Sequence, residues 1–203
     1  MKNLSFKFVL LVAALCLSPV AHAAKNILVF GDSLSAGYGL AIEKSWVYLM
    51  QQELQHTQPG FRVVNASISG ETTTGGLQRI DQALKQHRPA IVIVELGAND
   101  GLRGAPIRDI EANLGYIIGK SKHSGAKVLL VGMRLPPNYG EPYVTEFANL
   151  FPRLAIRHQV LLLPFLLEGV AANQFQADNL HPAAEAQQHI MRDVMQKLKP
   201  LLR

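Results

Sequence analysis

The chain has 203 residues, the length of one ordinary domain; 48% of them are hydrophobic and 17% are charged. This composition is typical of a globular protein and excludes a disordered, collagen-like or coiled-coil chain. The net charge of +5 is mild and is spread along the chain without a basic block or an interleaved aromatic stripe. Nucleic-acid binding is therefore not expected.

The first 23 residues have the pattern of a secretory signal peptide. Two lysines lie near the start, residues 8–17 form an unbroken apolar run, and Ala21-His22-Ala23 has the small-x-small form of a cleavage site. The apolar run is too short for a transmembrane helix, which needs about 20 such residues. We therefore expect cleavage near Ala23, one domain over residues 24–203 without integral membrane association, and a periplasmic or secreted location.

Five apolar, β-branched runs have the length of buried strands. They cover 27–30, 62–66, 90–96, 127–131 and 160–163. Helical spacing of apolar residues lies between them at 46–54, 77–84, 107–118 and 147–154, and a last helix is predicted from Pro182, in its first turn, to Leu198. Strands that alternate with helices and have no polar face predict a parallel sheet covered on both sides, a three-layer α/β/α domain.

Functional groups of such a sheet gather in the loops at the carboxyl ends of the strands. Polar segments occupy these places: 31–35 after the first strand, 67–72 after the second, 97–100 after the third and 178–182 before the last helix. Together they include hydroxyl groups, a histidine, carboxylates and several hydrogen-bond donors. We expect all of them at the same edge of the sheet.

His181 is the one histidine with an acid three residues before it and a proline directly after it. A turn of that length can place Asp178 on one imidazole nitrogen while the other faces a cleft, as a general base requires. The same spacing is equally typical of a capping aspartate beside a surface histidine. Other histidines near predicted helix ends, His56, His87, His123 and His158, are expected to be solvated or to complement helix dipoles.

Ser33 is the candidate nucleophile, although serine and aspartate after a strand often only cap the next helix. Its surroundings differ from the G-x-S-x-G elbow, because Ser35 stands where the second glycine would be. The only cysteine, Cys16, lies inside the predicted leader, and the chain has no dinucleotide fingerprint, P-loop or H-E-x-x-H zinc motif. We expect no cofactor and no metal, which leaves a cofactor-free hydrolase.

Four blocks taken together resemble the SGNH (GDSL-type) hydrolases: Ser33 in Gly-Asp-Ser-Leu, Gly70, Asn99 in Gly-Ala-Asn-Asp, and His181 in Asp-x-x-His-Pro. The resemblance extends over essentially the whole predicted mature chain, including residues 134–140. It is greatest to periplasmic bacterial members that hydrolyse acyl-CoA thioesters, lysophospholipids and aryl esters. It implies a flavodoxin-like sheet of five parallel strands in the order 2-1-3-4-5.

The resemblance also implies a role for each site residue. Ser33, Asp178 and His181 would be the nucleophile, the orienting acid and the base of an acyl-enzyme mechanism. The backbone N–H groups of Ser33 and Gly70 and the side-chain amide of Asn99 would form the oxyanion hole. Gly70 is also compatible with a simple turn glycine, and Asn99 with an Asx-turn residue. The neighbouring Asp100 is expected to orient the loops.

The resemblance favours an acyl groove lined by Leu102, Leu135, Pro136 and Tyr139, although apolar residues at loop bases are more often core. Arg103 and Arg134 are expected to form ordinary surface ion pairs. The expected partner is a small-molecule acyl ester, acyl thioester or lysophospholipid, and the expected state is a monomer. Two other functions stay open: a carbohydrate O-acetyl esterase of the same superfamily and a non-catalytic flavodoxin-like binding module.

Overall fold

The computed structural model describes residues 24–203; the predicted signal peptide, with Cys16, lies outside the described residues. Five parallel strands form one sheet in the order β2-β1-β3-β4-β5. They are β1 (Lys25–Gly31), β2 (Phe61–Asn65), β3 (Ile91–Glu95), β4 (Lys127–Val131) and β5 (Leu161–Leu163). The predicted number, direction and order of the strands are confirmed.

Seven α-helices connect and follow the strands of the described chain. They are α1 (Ser33–Ala36), α2 (Trp46–Thr57), α3 (Thr73–His87), α4 (Ala98–Leu102), α5 (Ile107–His123), α6 (Glu141–His158) and α7 (Ala184–Leu198). Helix α2 packs against α7, while α3 packs against α5 and α5 against α6. The chain reverses its direction across the sheet after β2, so right-handed crossovers place these two groups on opposite faces.

The central strands β1 and β3 explain the unbroken apolar runs in the sequence. Residues 27–30 of β1 and 91–94 of β3 have no exposed side-chain surface, because helices cover both faces of the sheet at these positions. The edge strand β2 is less buried and correspondingly more polar. Since alternate side chains of a strand point to opposite faces, burial on both faces removes the polar alternation that a half-exposed strand would have.

Helix α7 begins at Ala184, two residues later than predicted. Pro182 was expected in the first helical turn, but it forms an isolated antiparallel bridge with Phe175, and its carbonyl accepts from the side chain of Gln187 at 3.2 Å. The short helices α1 and α4 were not predicted, because four or five residues are too few to show a helical period.

The histidine assignments at helix ends are confirmed. His56, His87, His123 and His158 lie in the last turns of α2, α3, α5 and α6. A side chain that can carry positive charge is favourable there, because the last carbonyl groups of a helix carry partial negative charge. These four histidines are thus placed by helix termini, whereas His181 lies at the carboxyl edge of the sheet beside Ser33.

Candidate active site

Ser33, His181 and Asp178 form a continuous hydrogen-bonded chain at the carboxyl edge of the sheet. Nε2 of His181 lies 2.9 Å from Oγ of Ser33, and Nδ1 of His181 lies 2.6 Å from Oδ2 of Asp178. The serine is the first residue of α1, directly after the central strand β1, and the other two lie in the loop before α7. The structure therefore brings together all three residues that the sequence singled out as nucleophile, base and acid.

Asp178 makes both kinds of contact that its spacing allowed. Its Oδ1 accepts the backbone N–H groups of Leu180 at 2.9 Å and His181 at 3.0 Å, which closes the turn, while Oδ2 accepts from the imidazole. These hydrogen bonds, led by that from the His181 backbone, lower the pKa of Asp178 to about 2. The carboxylate is thus ionised at neutral pH, and the turn fixes it against the ring.

Local hydrogen bonds hold Ser33 in place. Oδ1 of Asp32 accepts from the backbone N–H of Leu34 at 3.1 Å and so caps the short helix α1. The indole N–H of the buried Trp46 donates to the carbonyl of Leu34 at 3.1 Å. At the other end Gly37 takes the left-handed conformation, with φ of 78°, and its N–H returns to the carbonyl of Ser33.

A buried carboxyl group supports this turn from below, and sequence reasoning missed it. Glu95, the last residue of β3, is fully buried; its Oε2 accepts the hydroxyl of Ser35 at 2.6 Å and the backbone N–H of Asp32 at 3.3 Å. Its Oε1 has no hydrogen-bond partner among residues 24–203. The signal that could have found it is the acid itself, at the end of an otherwise apolar strand.

Both acids of this turn have raised pKa values. Burial raises the pKa of Glu95 well above its usual range, and the nearby charge of Asp32 adds to the effect. Burial also raises the pKa of Asp32 to about 6, even though the backbone N–H of Leu34 opposes the shift. Glu95 is therefore expected to be protonated in the folded protein, so that the two adjacent buried acids do not both carry a charge.

Gly70 and Asn99 face the same cavity as Ser33. Gly70 has φ of 79° in the turn after β2, and no atom lies within 4 Å of the place that a Cβ would take. Nδ2 of Asn99 donates to the backbone carbonyl of Glu71 at 3.0 Å and to Oδ2 of Asp32 at 3.3 Å. Both hydrogen bonds of the Asn99 amide are donations, so the amide N–H₂ points toward the loop that carries Gly70.

Asp100 ties α4 to the start of α3, as predicted for a residue that orients the loops. Its two carboxylate oxygens accept the backbone N–H of Thr73 at 2.8 Å and the hydroxyl of Thr73 at 2.6 Å. Asp100 and Thr73 are both buried. This bidentate contact links the segment that holds Asn99 to the end of the segment that holds Gly70.

An apolar cavity of about 500 Å³ opens beside Ser33. Leu102, Leu135 and Pro136 line it, as predicted, together with apolar residues that were not predicted, namely Leu34, Tyr38, Ala98, Met133, Phe165, Leu167, Phe175 and Leu180. Phe165 and Leu167 come from the segment after β5, which the sequence did not place near Ser33. The ring of Tyr38 also lies 4.6 Å from that of His181.

Tyr139 was predicted to line the acyl groove, but it is not among the residues that line this cavity. Its hydroxyl donates to the backbone carbonyl of Leu102 at 3.0 Å, so it supports the cavity wall from outside. Arg134 forms the predicted ion pair, with Glu168 at 3.3 Å. Arg103 forms no ion pair within the described part of the chain; its guanidinium approaches the carbonyl of Gly70 at 3.4 Å.

Residues 24–203 contain no group of three or more His, Cys, Asp or Glu side chains that could hold a metal ion. Within the same residues, no helix has both the length and the apolar character needed to cross a membrane.

Comparison with known proteins places this chain in a family. The GDSL-like lipase/acylhydrolase family model matches residues 29–189. The chain is 47% identical over 190 residues to an arylesterase from Vibrio mimicus, over 93% of this chain and 95% of the relative. It is 42% identical over 184 residues to thioesterase 1/protease 1/lysophospholipase L1 of Escherichia coli K12, over 90% of this chain and 87% of that protein.

A crystal structure of TesA matches this structure with a TM-score of 0.85 at 45% identity, covering 87% of this chain and 99% of that one. The sheet order and this likeness define the class: the protein has the fold of an SGNH-type hydrolase. The chain belongs to the GDSL-like lipase/acylhydrolase family, and it is an enzyme that hydrolyses esters and thioesters. The resemblance found in the sequence is confirmed, and a non-catalytic binding module is not supported.

Proposed function

We propose that Ser33, His181 and Asp178 carry out this hydrolysis through an acyl-enzyme. The observation that carries the proposal is the 2.9 Å contact between Nε2 of His181 and Oγ of Ser33, with the opposite ring nitrogen on Asp178 at 2.6 Å. An ionised carboxylate at Nδ1 favours the tautomer that bears its proton there. Nε2 is then free to accept the proton of the serine hydroxyl.

In the first half of the reaction, Oγ of Ser33 attacks the acyl carbonyl carbon while Nε2 of His181 takes the hydroxyl proton. The tetrahedral intermediate collapses, the carbon–oxygen or carbon–sulfur bond breaks, and His181 gives the proton to the leaving alcohol or thiol. In the second half, water attacks the ester on Ser33, with His181 again as the base. The carboxylic acid leaves and the serine recovers its proton.

We assign the stabilisation of the negative charge on the carbonyl oxygen to three donors. They are the backbone N–H groups of Ser33 and Gly70 and the side-chain amide of Asn99. The positive φ of Gly70 and the empty space around its Cα support a close approach of substrate. The amide of Asn99 is oriented by its bond to the carbonyl of Glu71. Its second contact, 3.3 Å to Asp32, is long for a hydrogen bond, so the oxyanion can replace it.

The cavity supports an acyl chain as the bound group. Its volume of about 500 Å³ is larger than an acetyl group needs, and its walls are mainly aliphatic and aromatic side chains. We therefore assign medium and long acyl esters, acyl thioesters and lysophospholipids as substrates rather than acetylated sugars. A panel of p-nitrophenyl esters from acetyl to palmitoyl, with acyl-CoA and acetylated xylan, tests this. A higher kcat/KM on the acetylated sugar than on every longer ester contradicts it.

The nucleophile is tested by labelling with a fluorophosphonate and mapping the modified peptide. The adduct is expected on Ser33, and Ser33→Ala is expected to abolish both labelling and hydrolysis. Ser124→Ala, at the end of α5 and remote from the cavity, is the matched control and is expected to keep full activity. An adduct on any other serine, or substantial hydrolysis by Ser33→Ala, overturns the assignment.

We also assign the mature enzyme to the periplasm or the secreted fraction, on the support of the leader pattern in residues 1–23. Expression of the full chain in a Gram-negative host, followed by N-terminal sequencing of the active enzyme from the periplasmic fraction, tests it. The expected first residue lies near Ala24. Active enzyme confined to the cytoplasm with an intact leader contradicts the assignment.

A further inference from the structure

The loop that carries Gly70 is held by a side chain outside the catalytic cavity. Arg79, in the second turn of α3, donates from Nη1 to the backbone carbonyl of Ala66 at 2.7 Å and from Nε to the carboxylate of Glu71. Ala66 begins this loop, directly after β2, and Glu71 ends it. One guanidinium therefore joins the two ends of residues 66–71, which we call the oxyanion loop.

The side chains at the tip of the oxyanion loop do not fix its position. Ile68, Ser69 and Gly70 are exposed. Behind the first half of the loop lies a second cavity of about 300 Å³, lined in part by Ala66 and Arg79. Since close packing is missing on both sides, hydrogen bonds must determine where the loop lies.

Besides Arg79, two backbone hydrogen bonds hold the tip of the loop, and the exposed guanidinium of Arg103 adds only a long contact of 3.4 Å to the carbonyl of Gly70. The N–H of Ile68 donates to the carbonyl of Gly31 at 3.0 Å, and the N–H of Glu71 donates to the carbonyl of Ile68 at 3.1 Å. The second of these only closes the turn on itself. The direction in which the turn presents the N–H of Gly70 therefore depends on how Glu71 is anchored.

The anchor of Glu71 is built into the fold. The guanidinium of Arg79 stacks on the buried ring of Phe30, with Cζ 4.0 Å from the ring centroid, and the side chains of Arg79 and Glu71 are only 22% and 10% exposed. Gly75 leaves room for the carboxylate, because a Cβ there would lie 2.0 Å from Oε1 of Glu71. The ion pair of Arg79 and Glu71 is partly buried and lies against Phe30 and Gly75. It therefore differs from an exposed ion pair, which contributes little to stability.

The same residue also contacts the other donor of the oxyanion hole. The backbone carbonyl of Glu71 accepts from Nδ2 of Asn99 at 3.0 Å, and Gly70 is its immediate neighbour in the chain. The anchoring of Glu71 thus affects the position of Gly70 and the orientation of the Asn99 amide. The guanidinium of Arg79 also neutralises the carboxylate of Glu71, the residue next to Gly70 in the chain.

We propose that Arg79 is a positioning residue for the oxyanion hole, which it serves by joining the ends of the oxyanion loop and neutralising Glu71. The inference rests on the proposed function, because it needs Gly70 and Asn99 to act on an oxyanion. It concerns transition-state stabilisation and not substrate binding. It therefore predicts an effect on kcat with little effect on KM.

The test compares Arg79→Gln, Glu71→Gln and the double variant on p-nitrophenyl butyrate, with kcat referred to active sites counted by phosphonate titration. Arg79→Gln is expected to lower kcat about 10- to 100-fold with KM within about threefold, since small displacements of catalytic donors are costly. Glu71→Gln should lower kcat less than Arg79→Gln does. The double variant should recover part of the loss, because the unpaired carboxylate is gone.

Arg153→Gln is the matched control, because Arg153 forms an ion pair with Glu111 at 2.8 Å on the far helices α5 and α6. It should keep the kcat of the wild type. The rate constant of phosphonylation is a second readout, which should fall with kcat in Arg79→Gln because the tetrahedral adduct also places an oxygen among the donors. Melting temperature is recorded for every variant.

A kcat of Arg79→Gln within twofold of the wild type overturns the inference. A loss of kcat that Arg153→Gln shares also overturns it. So does a double variant whose loss of kcat equals the product of the two single losses. If Arg79→Gln does not fold, Arg79→Lys replaces it, since one ammonium keeps the charge but cannot join both acceptors in the same geometry; wild-type kcat in that variant overturns the inference. Ser33→Ala separates the two hypotheses: an active Ser33→Ala refutes the proposed function, whereas an inactive Ser33→Ala beside a normal Arg79→Gln refutes only the role of Arg79.

Discussion

Gly31 and Glu95 are partners across β1 and β3, and the carboxyl group of Glu95 lies against the backbone of Gly31. A Cβ at position 31 would lie 2.7 Å from Oε2 of Glu95 and 2.8 Å from Oγ of Ser35. The absence of a side chain at Gly31 therefore makes room for the hydrogen bond between Glu95 and Ser35. Ser35 lies two residues after the proposed nucleophile, Ser33. The glycine that opens the Gly-Asp-Ser-Leu block has a packing role beneath the site.

Gly31→Ala is expected to destabilise the fold and to lower activity, because the new methyl group must displace Glu95 or Ser35. Overpacking of this kind costs about 1–3 kcal/mol. Gly119→Ala is the matched control: Gly119 lies inside α5 with no atom near its Cβ position, and alanine there should be neutral or stabilising. Urea unfolding of both variants measures the difference, and equal stabilities contradict the packing argument.

Glu95→Gln is expected to fold stably at pH 7, because burial raises the pKa of Glu95 and favours its neutral form, with which the amide is nearly isosteric. Glu95→Ala should lose about 3 kcal/mol, since it leaves a cavity and removes the acceptor of the Ser35 hydroxyl. Thermal and urea unfolding measure both. Equal losses in the two variants would show that the charge of Glu95, rather than its shape and hydrogen bonds, stabilises the protein.

The two buried acids, Asp32 and Glu95, make the stability of the protein depend on pH with a definite sign. Burial raises the pKa of Glu95 well above its usual range and that of Asp32 to about 6, so the folded state keeps protons that the unfolded state has lost. The unfolded state binds fewer protons, and the free energy of unfolding therefore falls as pH rises from about 4 to 7. Unfolding curves over this range should show a smaller fall in Glu95→Gln than in the wild type. An unchanged slope contradicts the assignment.

Asp178→Asn is expected to keep the fold and to lower kcat by up to about 10⁴-fold, because the imidazole loses the carboxylate that fixes its tautomer. An asparagine oxygen can still accept the backbone N–H groups of Leu180 and His181, so the turn should survive. Hydrolysis kinetics and circular dichroism measure the two effects. Near-normal turnover would leave Asp178 with the capping role alone.

Asn99→Ala removes one proposed donor to the oxyanion and is expected to lower kcat by roughly 10²–10³-fold. Asn99→Asp should be worse, because a carboxylate there repels the oxyanion, the carbonyl of Glu71 and the carboxyl of Asp32. A turn residue that only accepts backbone hydrogen bonds would give the opposite order, since aspartate keeps those bonds. Measurements of kcat and melting temperature for both variants decide between the two roles.

Leu102→Trp is expected to shift the preference toward shorter acyl chains, because a larger side chain in the wall reduces the space for the chain. The readout is the ratio of kcat/KM on the palmitate ester to kcat/KM on the butyrate ester, which should fall several-fold. Ile156→Trp, on the exposed surface of α6, is the matched control. An unchanged ratio in Leu102→Trp would place the acyl chain elsewhere.

Local sequence pattern predicted the architecture well, because its causes are local. Burial on both faces turns strands such as 127–131 into continuous apolar runs, and helix spacing marks 107–118 in the same way. Three of the four motif blocks follow strands and the fourth precedes the last helix, and parallel strands carry their ends to one edge. Ser33, Asp178 and His181 were therefore predictable as a group before their distances were known.

What only the tertiary structure decided are contacts between segments that are far apart in the chain. Glu95 reaches Ser35 across a gap of 60 residues, and Asn99 reaches Glu71 and Asp32 across 28 and 67. Such contacts depend on strand register and on which helix covers which face, and no periodic pattern encodes them. Tyr139 shows the same limit: its place in the chain was clear, but whether it lines the cavity or supports its wall was settled by three-dimensional packing.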